Sequence, residues 1–260
     1  TPDHGTRQVL SGIHRWAEEH PGEWLLVHDP HPTESSLAGC GGVIGPGNVG
    51  LERVAREAGV PYVATGDRSY DLKVPRVMEG LFQAGTLAAK HLVARGYERF
   101  AFLGYSGYRA SHMLERGFRD ALRARGQGIA IRVHTGRNRP QPPAGRRAFH
   151  EGLGCWLDEL PKPVGILACR DFLALYLAEH CLRKGISVPE EVGLIAAGND
   201  PVLCLTPPVH LTSLDFAHER VGHEAAALLD KLVNGATPPL SNVIIPPMLV
   251  ARASTGRADL

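Results

Sequence analysis

The chain has no apolar run approaching the roughly 18 residues that a membrane-spanning helix requires. It also has no Cys-x-x-Cys pair. Its five cysteines, Cys40, Cys155, Cys169, Cys181 and Cys204, are scattered over 260 residues. An odd, dispersed set in a chain of this size reads as reduced thiols and points to a cytoplasmic protein. An excess of charge of one sign is absent as well: 28 Lys and Arg face 27 Asp and Glu, for a formal net charge of +1. Nucleic-acid binding neutralises many phosphates from a basic face, so this segment is not expected to bind DNA by itself. The opening residues Thr1–Gln8 are polar and show no secretory signal. No tandem repeat or low-complexity tract is visible.

What is present is an alternation of two periods. Hydrophobic residues make up 43% and charged residues 21%, ordinary for a globular protein. Val9, Leu10, Ile13, Trp16 and Ala17 share one helical face. Helices are expected at 7–20, 51–58, 83–95, 111–125, 145–160, 171–184 and 218–234. Gly96 and Gly185 end two of them in the manner of helix-terminating glycines. Between these lie short apolar runs at 24–27, 42–44, 61–64, 74–78, 100–103, 129–134, 164–168, 192–197, 211–214 and 243–250. Strands that are apolar throughout and separated by amphipathic helices indicate parallel sheets covered on both faces. About ten strands exceed what one small doubly wound sheet holds. The fold class is therefore α/β, with two doubly wound parallel-sheet lobes. Residues 137–145, with three prolines, read as a loop.

Three motifs invite an enzymatic or metal reading. Gly45-Pro46-Gly47-Asn48-Val49-Gly50 fits the dinucleotide turn Gly-x-Gly-x-x-Gly, with Asp67 past the next strand. Its helix is short, however, and Pro46 restricts the turn, so a plain strand–helix turn is the better reading. Gly104-Tyr105-Ser106-Gly107-Tyr108 lacks the final glycine of a nucleophile elbow. His28 and His31 flank Asp29-Pro30, but no second cluster completes a metal set. No catalytic residue, metal or cofactor is expected.

The remaining candidates lie just past strand ends, the edge at which open parallel sheets bind ligands. They are Asp67, Tyr105 with Ser106, Arg170 with Asp171, Asn199 with Asp200, and Asp215 with Phe216. Asp, Asn and Arg make paired hydrogen bonds to vicinal hydroxyls, and aromatic rings cover the apolar face of a sugar. Capping is the competing role: Asp171, Asp200 or Ser111 would each serve at the start of a helix.

Four segments resemble the lac repressor and periplasmic sugar-binding superfamily. They are GLFQAGTLAAKHLVARGYERFAFLG at 80–104, the stretch GILACRDF to AAGND at 165–200, LTSLDFAHERVG and its helix at 211–235, and PPMLVARAST at 246–255. The opening RQVLSGIHRWAEEHPGEW at 7–24 is similar to xylose-operon regulators, in which such a sensor precedes a helix-turn-helix domain. The resemblance implies two lobes crossed by three hinge strands. Residues 1–79 and 218–242 would form the first lobe, and 80–217 and 243–260 the second. It also implies a sugar effector in the cleft, a homodimer, and operator DNA bound through a domain outside this chain. Carried over by position, Arg7, Asp171 and Asn199 would contact the ligand, while His112 stands where the lac-type pattern has a contacting Arg. Gly80 and Gly198 depart from a pattern that often has Asp, with Glu79 and Asp200 adjacent. A pentose such as xylose is the expected effector. The rival readings are a secreted solute-binding protein of a sugar importer, a nucleotide-dependent oxidoreductase built on Gly45–Gly50, and a cleft that takes another ligand or none.

Overall fold

Consecutive residues of the apolar run at 62–64 face opposite helical layers, which is what a strand buried on both sides requires. In the computed structural model, Tyr62 and Ala64 pack with Leu37, Leu51 and Ala55, whereas Val63 packs with Val221, Ala225 and Leu229. The structure describes residues 3–66, 72–125, 131–137, 143–237 and 242–256. The chain divides into two units, Thr1–Gly80 with Ala217–Pro246, and Leu81–Phe216 with Pro247–Leu260. It therefore passes from one unit to the other three times.

The first unit carries a sheet of β1 (Val43–Pro46), β2 (Tyr62–Thr65), β3 (Arg76–Glu79) and β9 (Val243–Ile245), in the order β1-β2-β3-β9. Every pairing in it is parallel. One face is covered by α9 (His218–Val233), on which α1 (His4–Glu19) packs through Ile13, Trp16 and Ala226. The other face is covered by α2 (Glu34–Leu37) and α3 (Val49–Glu57).

Two segments differ from what the sequence leads one to expect. Residues 24–27 form no strand. Leu25 and Val27 are 91% and 76% exposed, while Trp24 turns inward onto Trp16 with ring centroids 4.6 Å apart. The alternation is strand-like, but no described strand lies alongside to supply a hydrogen-bond ladder. The single strand expected at 243–250 is two, broken at Pro246-Pro247: β9 joins the first unit's sheet and β10 (Met248–Val250) the second's. Residues 243–246 thus belong with the first unit, not the second.

The second unit's sheet has the order β10-β8-β7-β6-β4-β5. Its members are β4 (Phe100–Ser106), β5 (Ile131–Arg137), β6 (Val164–Ala168), β7 (Val192–Ala197), β8 (Thr212–Asp215) and β10. All pairings are parallel except β10 with β8. The helices are α4 (Leu81–Ala94), α5 (Arg109–Arg123), α6 (Pro143–Glu159), α7 (Asp171–Lys184) and the short α8 (Pro201–Leu205). Phe100, Phe102, Phe118, Leu103 and Leu157 are fully enclosed, each worth roughly 2–3 kcal/mol of apolar burial. Gly185 ends α7 at φ 67, as its position in the sequence indicated. The loop expected at 137–145 shrinks from both ends, because β5 includes Arg137 and α6 begins at Pro143. Residues 138–142 lie outside the described part.

Helices α4 and α5 cross at glycines. A Cβ on Gly117 would fall on the backbone carbonyl of Phe82, and one on Gly85 on that of Leu114. The two backbones touch because neither position carries a side chain.

Candidate functional site

Strands β8, β7, β6 and β4 are neighbours, and their C-terminal ends bring most of the candidate residues to one edge of the second unit. Asp171 is the first residue of α7 and is only 5% exposed. Its Oδ1 accepts from Ser213 Oγ at 2.8 Å, from the Asn199 N–H at 3.3 Å and from Cys204 Sγ at 3.5 Å. Its Oδ2 accepts from the Asp200 N–H at 2.9 Å. Burial holds this carboxyl above the ordinary carboxylate range, against the opposing pull of those four donors. The same burial, with the Asp171 charge next, pushes the Cys204 thiol up to about 12. Asp171 therefore fixes the loop after β7.

That loop has an unusual path. Gly198 has φ 135 and Asn199 φ 54, and a Cβ on Gly198 would lie 2.6 Å from Asp171 Oδ2. Glycine is needed at 198 both for the backbone angle and for the space the carboxylate occupies. The left-handed turn at Asn199 is one that asparagine tolerates better than most residues. Its side chain spans two partners: Nδ2 donates to Asp215 Oδ2 at 2.9 Å, and Oδ1 accepts from Arg252 Nη2 at 2.7 Å.

Arg170 donates to the Tyr108 hydroxyl at 2.8 Å, with its guanidinium carbon 5.0 Å from the ring centroid. Tyr105, at the end of β4, is nearly enclosed; its ring lies 6.2 Å from Phe172, and burial raises its hydroxyl pKa. Ser111 Oγ accepts the Tyr105 N–H at 3.0 Å, so it braces the strand end and does not cap a helix.

Asp200 is the N-cap of α8, accepting the Val202 N–H at 3.0 Å, which is the capping role. Phe216 is enclosed in the second unit's core, so its ring is not an open stacking surface. His112 is exposed on α5. Arg7 is exposed on α1 of the first unit, where Glu79 ends β3 with its carboxylate 3.6 Å from His218 Nε2. Asp67 lies outside the described residues.

Sequence reasoning missed Ser213, Cys204 and Arg252. Ser213 lies in an apolar strand, and Cys204 lies between 197 and 211, where no element is expected. Arg252 opens the Arg-Ala-Ser-Thr ending of the segment at 246–255, where the resemblance singles out no one residue. That ending is a clasp: Ser254 Oγ accepts from the Thr212 N–H at 2.8 Å and donates to the Leu194 carbonyl at 2.6 Å. Thr255 Oγ1 lies 2.8 Å from both Thr212 Oγ1 and His91 Nε2.

The dinucleotide turn has an internal occupant. The Asn48 side chain accepts the Leu51 N–H at 2.7 Å, capping α3 where a pyrophosphate would bind. At the His28–His31 loop, Asp29 accepts from His31 N–H and Ser36 Oγ. Among the described residues no three His, Cys, Asp or Glu gather as a metal set, and no helix is long and apolar enough to cross a membrane.

The model of the periplasmic binding protein-like domain matches residues 89–255, more than half of the chain. The xylose operon regulatory protein of Escherichia coli K12 is 26% identical over 269 residues, covering 98% of this chain and 67% of that protein. The one from Haemophilus influenzae is 29% identical over 182 residues, covering 67% of this chain and 45% of its own length. Among solved structures, a xylose-binding transcription activator superposes over 100% of this chain and 68% of its own, with TM-score 0.84 and 26% identity. A ribose-bound regulator of the lac repressor family from Enterococcus faecium superposes with TM-score 0.78 at 19% identity, covering 98% of this chain and 97% of its own.

Proposed function

The chain belongs to the periplasmic binding protein-like family, and we propose that it is the effector-sensing part of a transcription regulator whose ligand is a pentose such as xylose. The observation that carries this reading is the Asn199–Asp215 pair at the C-terminal ends of β7 and β8. It sets an amide donor beside a carboxylate acceptor, and a sugar hydroxyl is both acceptor and donor. Arg170 with Tyr108 adds a guanidinium and an aromatic ring at the neighbouring strand ends. The choice of a pentose draws on the end-to-end likeness to xylose operon regulators and to a xylose-binding activator. For Arg7 the support is the likeness of the opening helix to those regulators, and we assign it a hydroxyl contact on that basis. Asp171 acts through the loop it holds.

A ligand shifts a conformational equilibrium only by its difference in affinity for the two states. Regulation would then require that the sugar favour one arrangement of the regulator over another. Operator binding and dimer formation belong to this proposal for the whole regulator, of which the E. coli relative is matched over 67% of its length.

Thermal unfolding against a panel of pentoses, hexoses and dinucleotides tests the reading. At a hundred times its dissociation constant, a ligand that binds only the folded chain adds about 2.7 kcal/mol of stability. The expected result is a rise in unfolding temperature with one pentose and none with NAD or NADP. A rise with a dinucleotide alone would overturn the proposal.

A further inference from the structure

Arg252 follows the last strand, 53 residues from Asn199 in sequence, and its guanidinium bridges two separate loops. Nη1 donates to the Leu211 carbonyl at 2.6 Å, at the entry to β8, and Nη2 donates to Asn199 Oδ1 at 2.7 Å. The Arg252 backbone is itself tied down, since its N–H donates to Thr212 Oγ1 at 2.8 Å. The residues after it are held by the clasp of buried Ser254 and Thr255. Arg252 is thus presented from a fixed backbone.

The chemistry of the two neighbours decides how the Asn199 amide is turned. A guanidinium only donates and an ionised carboxylate only accepts. With Arg252 on one side and Asp215 on the other, Asn199 must direct its oxygen to the first and its nitrogen to the second. Turning the amide over would set donor against donor and acceptor against acceptor. The second N–H of Asn199 has no partner among the described residues and is left for a ligand.

We propose that Arg252 is the positioning residue that fixes the Asn199 amide as a donor toward the sugar, and that it thereby sets the choice among pentose epimers. Epimers differ in where one hydroxyl stands, so a donor locked in direction distinguishes them better than an amide free to turn over. This inference rests on the sugar reading above.

The test is calorimetric titration of D-xylose, D-ribose, D-lyxose and L-arabinose into the wild-type chain, Arg252→Met, Asn199→Ala and the double variant. Urea unfolding without sugar is followed in parallel. Arg252→Met is expected to weaken binding of the preferred pentose about tenfold, the scale of one buried hydrogen bond to a charged group. The affinity ratio between epimers should narrow at the same time, a readout that general loosening of the fold would not move. In the Asn199→Ala background the same change should cost under about twofold, because coupled residues lose their interaction once. If Arg252→Met does not fold, Arg252→Lys supplies the test. It keeps the charge but reaches only one of the two acceptors, and it too should narrow the epimer ratio. Unchanged epimer ratios in the variant that folds, or an equal loss with and without Asn199, would overturn this inference alone. A wild-type chain that binds none of the pentoses would overturn the sugar reading and this inference with it.

Discussion

Replacing Asp171 with Ala is expected to lower the unfolding free energy by about 3 kcal/mol, because it leaves buried donors without an acceptor. The Asn199 and Asp200 N–H groups, the Ser213 hydroxyl and the Cys204 thiol all turn to this one carboxylate. Urea unfolding reads the loss. Pentose affinity should fall with it, since the loop that carries Asn199 is no longer held. Asp171→Asn should fall between Ala and wild type. Every partner is a donor, and an amide offers one acceptor atom where the carboxylate offers two. The pH dependence has a definite sign. Burial raises the Asp171 pKa in the folded state, so between its ordinary value and the raised one the native chain binds more proton than the unfolded chain. Over that window the stability due to this group falls as pH rises. Subtracting the Asp171→Asn profile from that of wild type isolates this slope. Equal unfolding midpoints for wild type and Asp171→Ala would show that the cluster contributes nothing.

A second large effect is expected at the crossing of α4 and α5. Gly117→Ala adds a single methyl group, but it meets the backbone carbonyl of Phe82, not a side chain that can swing away. The helices must separate, and the close packing of Phe118, Leu114 and Ala88 around the crossing loosens with them. Overpacking of this kind costs typically 1–3 kcal/mol, and contact with backbone places Gly117→Ala near about 3 kcal/mol. Urea unfolding of Gly117→Ala beside Gly152→Ala separates this from helix propensity. A Cβ on Gly152 meets nothing within 4 Å, so that change should be neutral or stabilising. Similar midpoints for the two variants would contradict the close crossing.

The legible parts of this molecule are those fixed by local chemistry. Gly185 marked the end of α7 because a left-handed terminus favours glycine, and Asp171 marked its start. The β-α alternation announced doubly wound sheets because strands covered on both faces must be apolar throughout. Residues 24–27 misled because an apolar run shows that a segment is half-buried, not that a strand lies beside it. Pro246-Pro247 does mark the break after β9, since two prolines cannot continue a ladder. The short helix α8 was likewise signalled by Asp200 before Pro201, a cap followed by proline at the first helical turn. At the site, the strand-end rule gathered Asp171, Asn199 and Asp215. It could not say that Asp171 faces inward, or that Arg252 reaches Asn199 across 53 residues. The second of these depends on β10 running antiparallel to β8, which no local pattern records. Nor could it separate Asp200, a cap, from Asn199, whose amide spans two charged groups.

A pentose is proposed to sit at the second unit's strand ends. A crystal structure of the chain grown with D-xylose, or with whichever pentose raises its unfolding temperature, tests this most directly. A sugar hydroxyl is expected at about 3 Å, hydrogen-bonding distance, from both Asn199 Nδ2 and the Asp215 carboxylate. A pentose bound elsewhere, with Asn199 and Asp215 touching only each other, would contradict it.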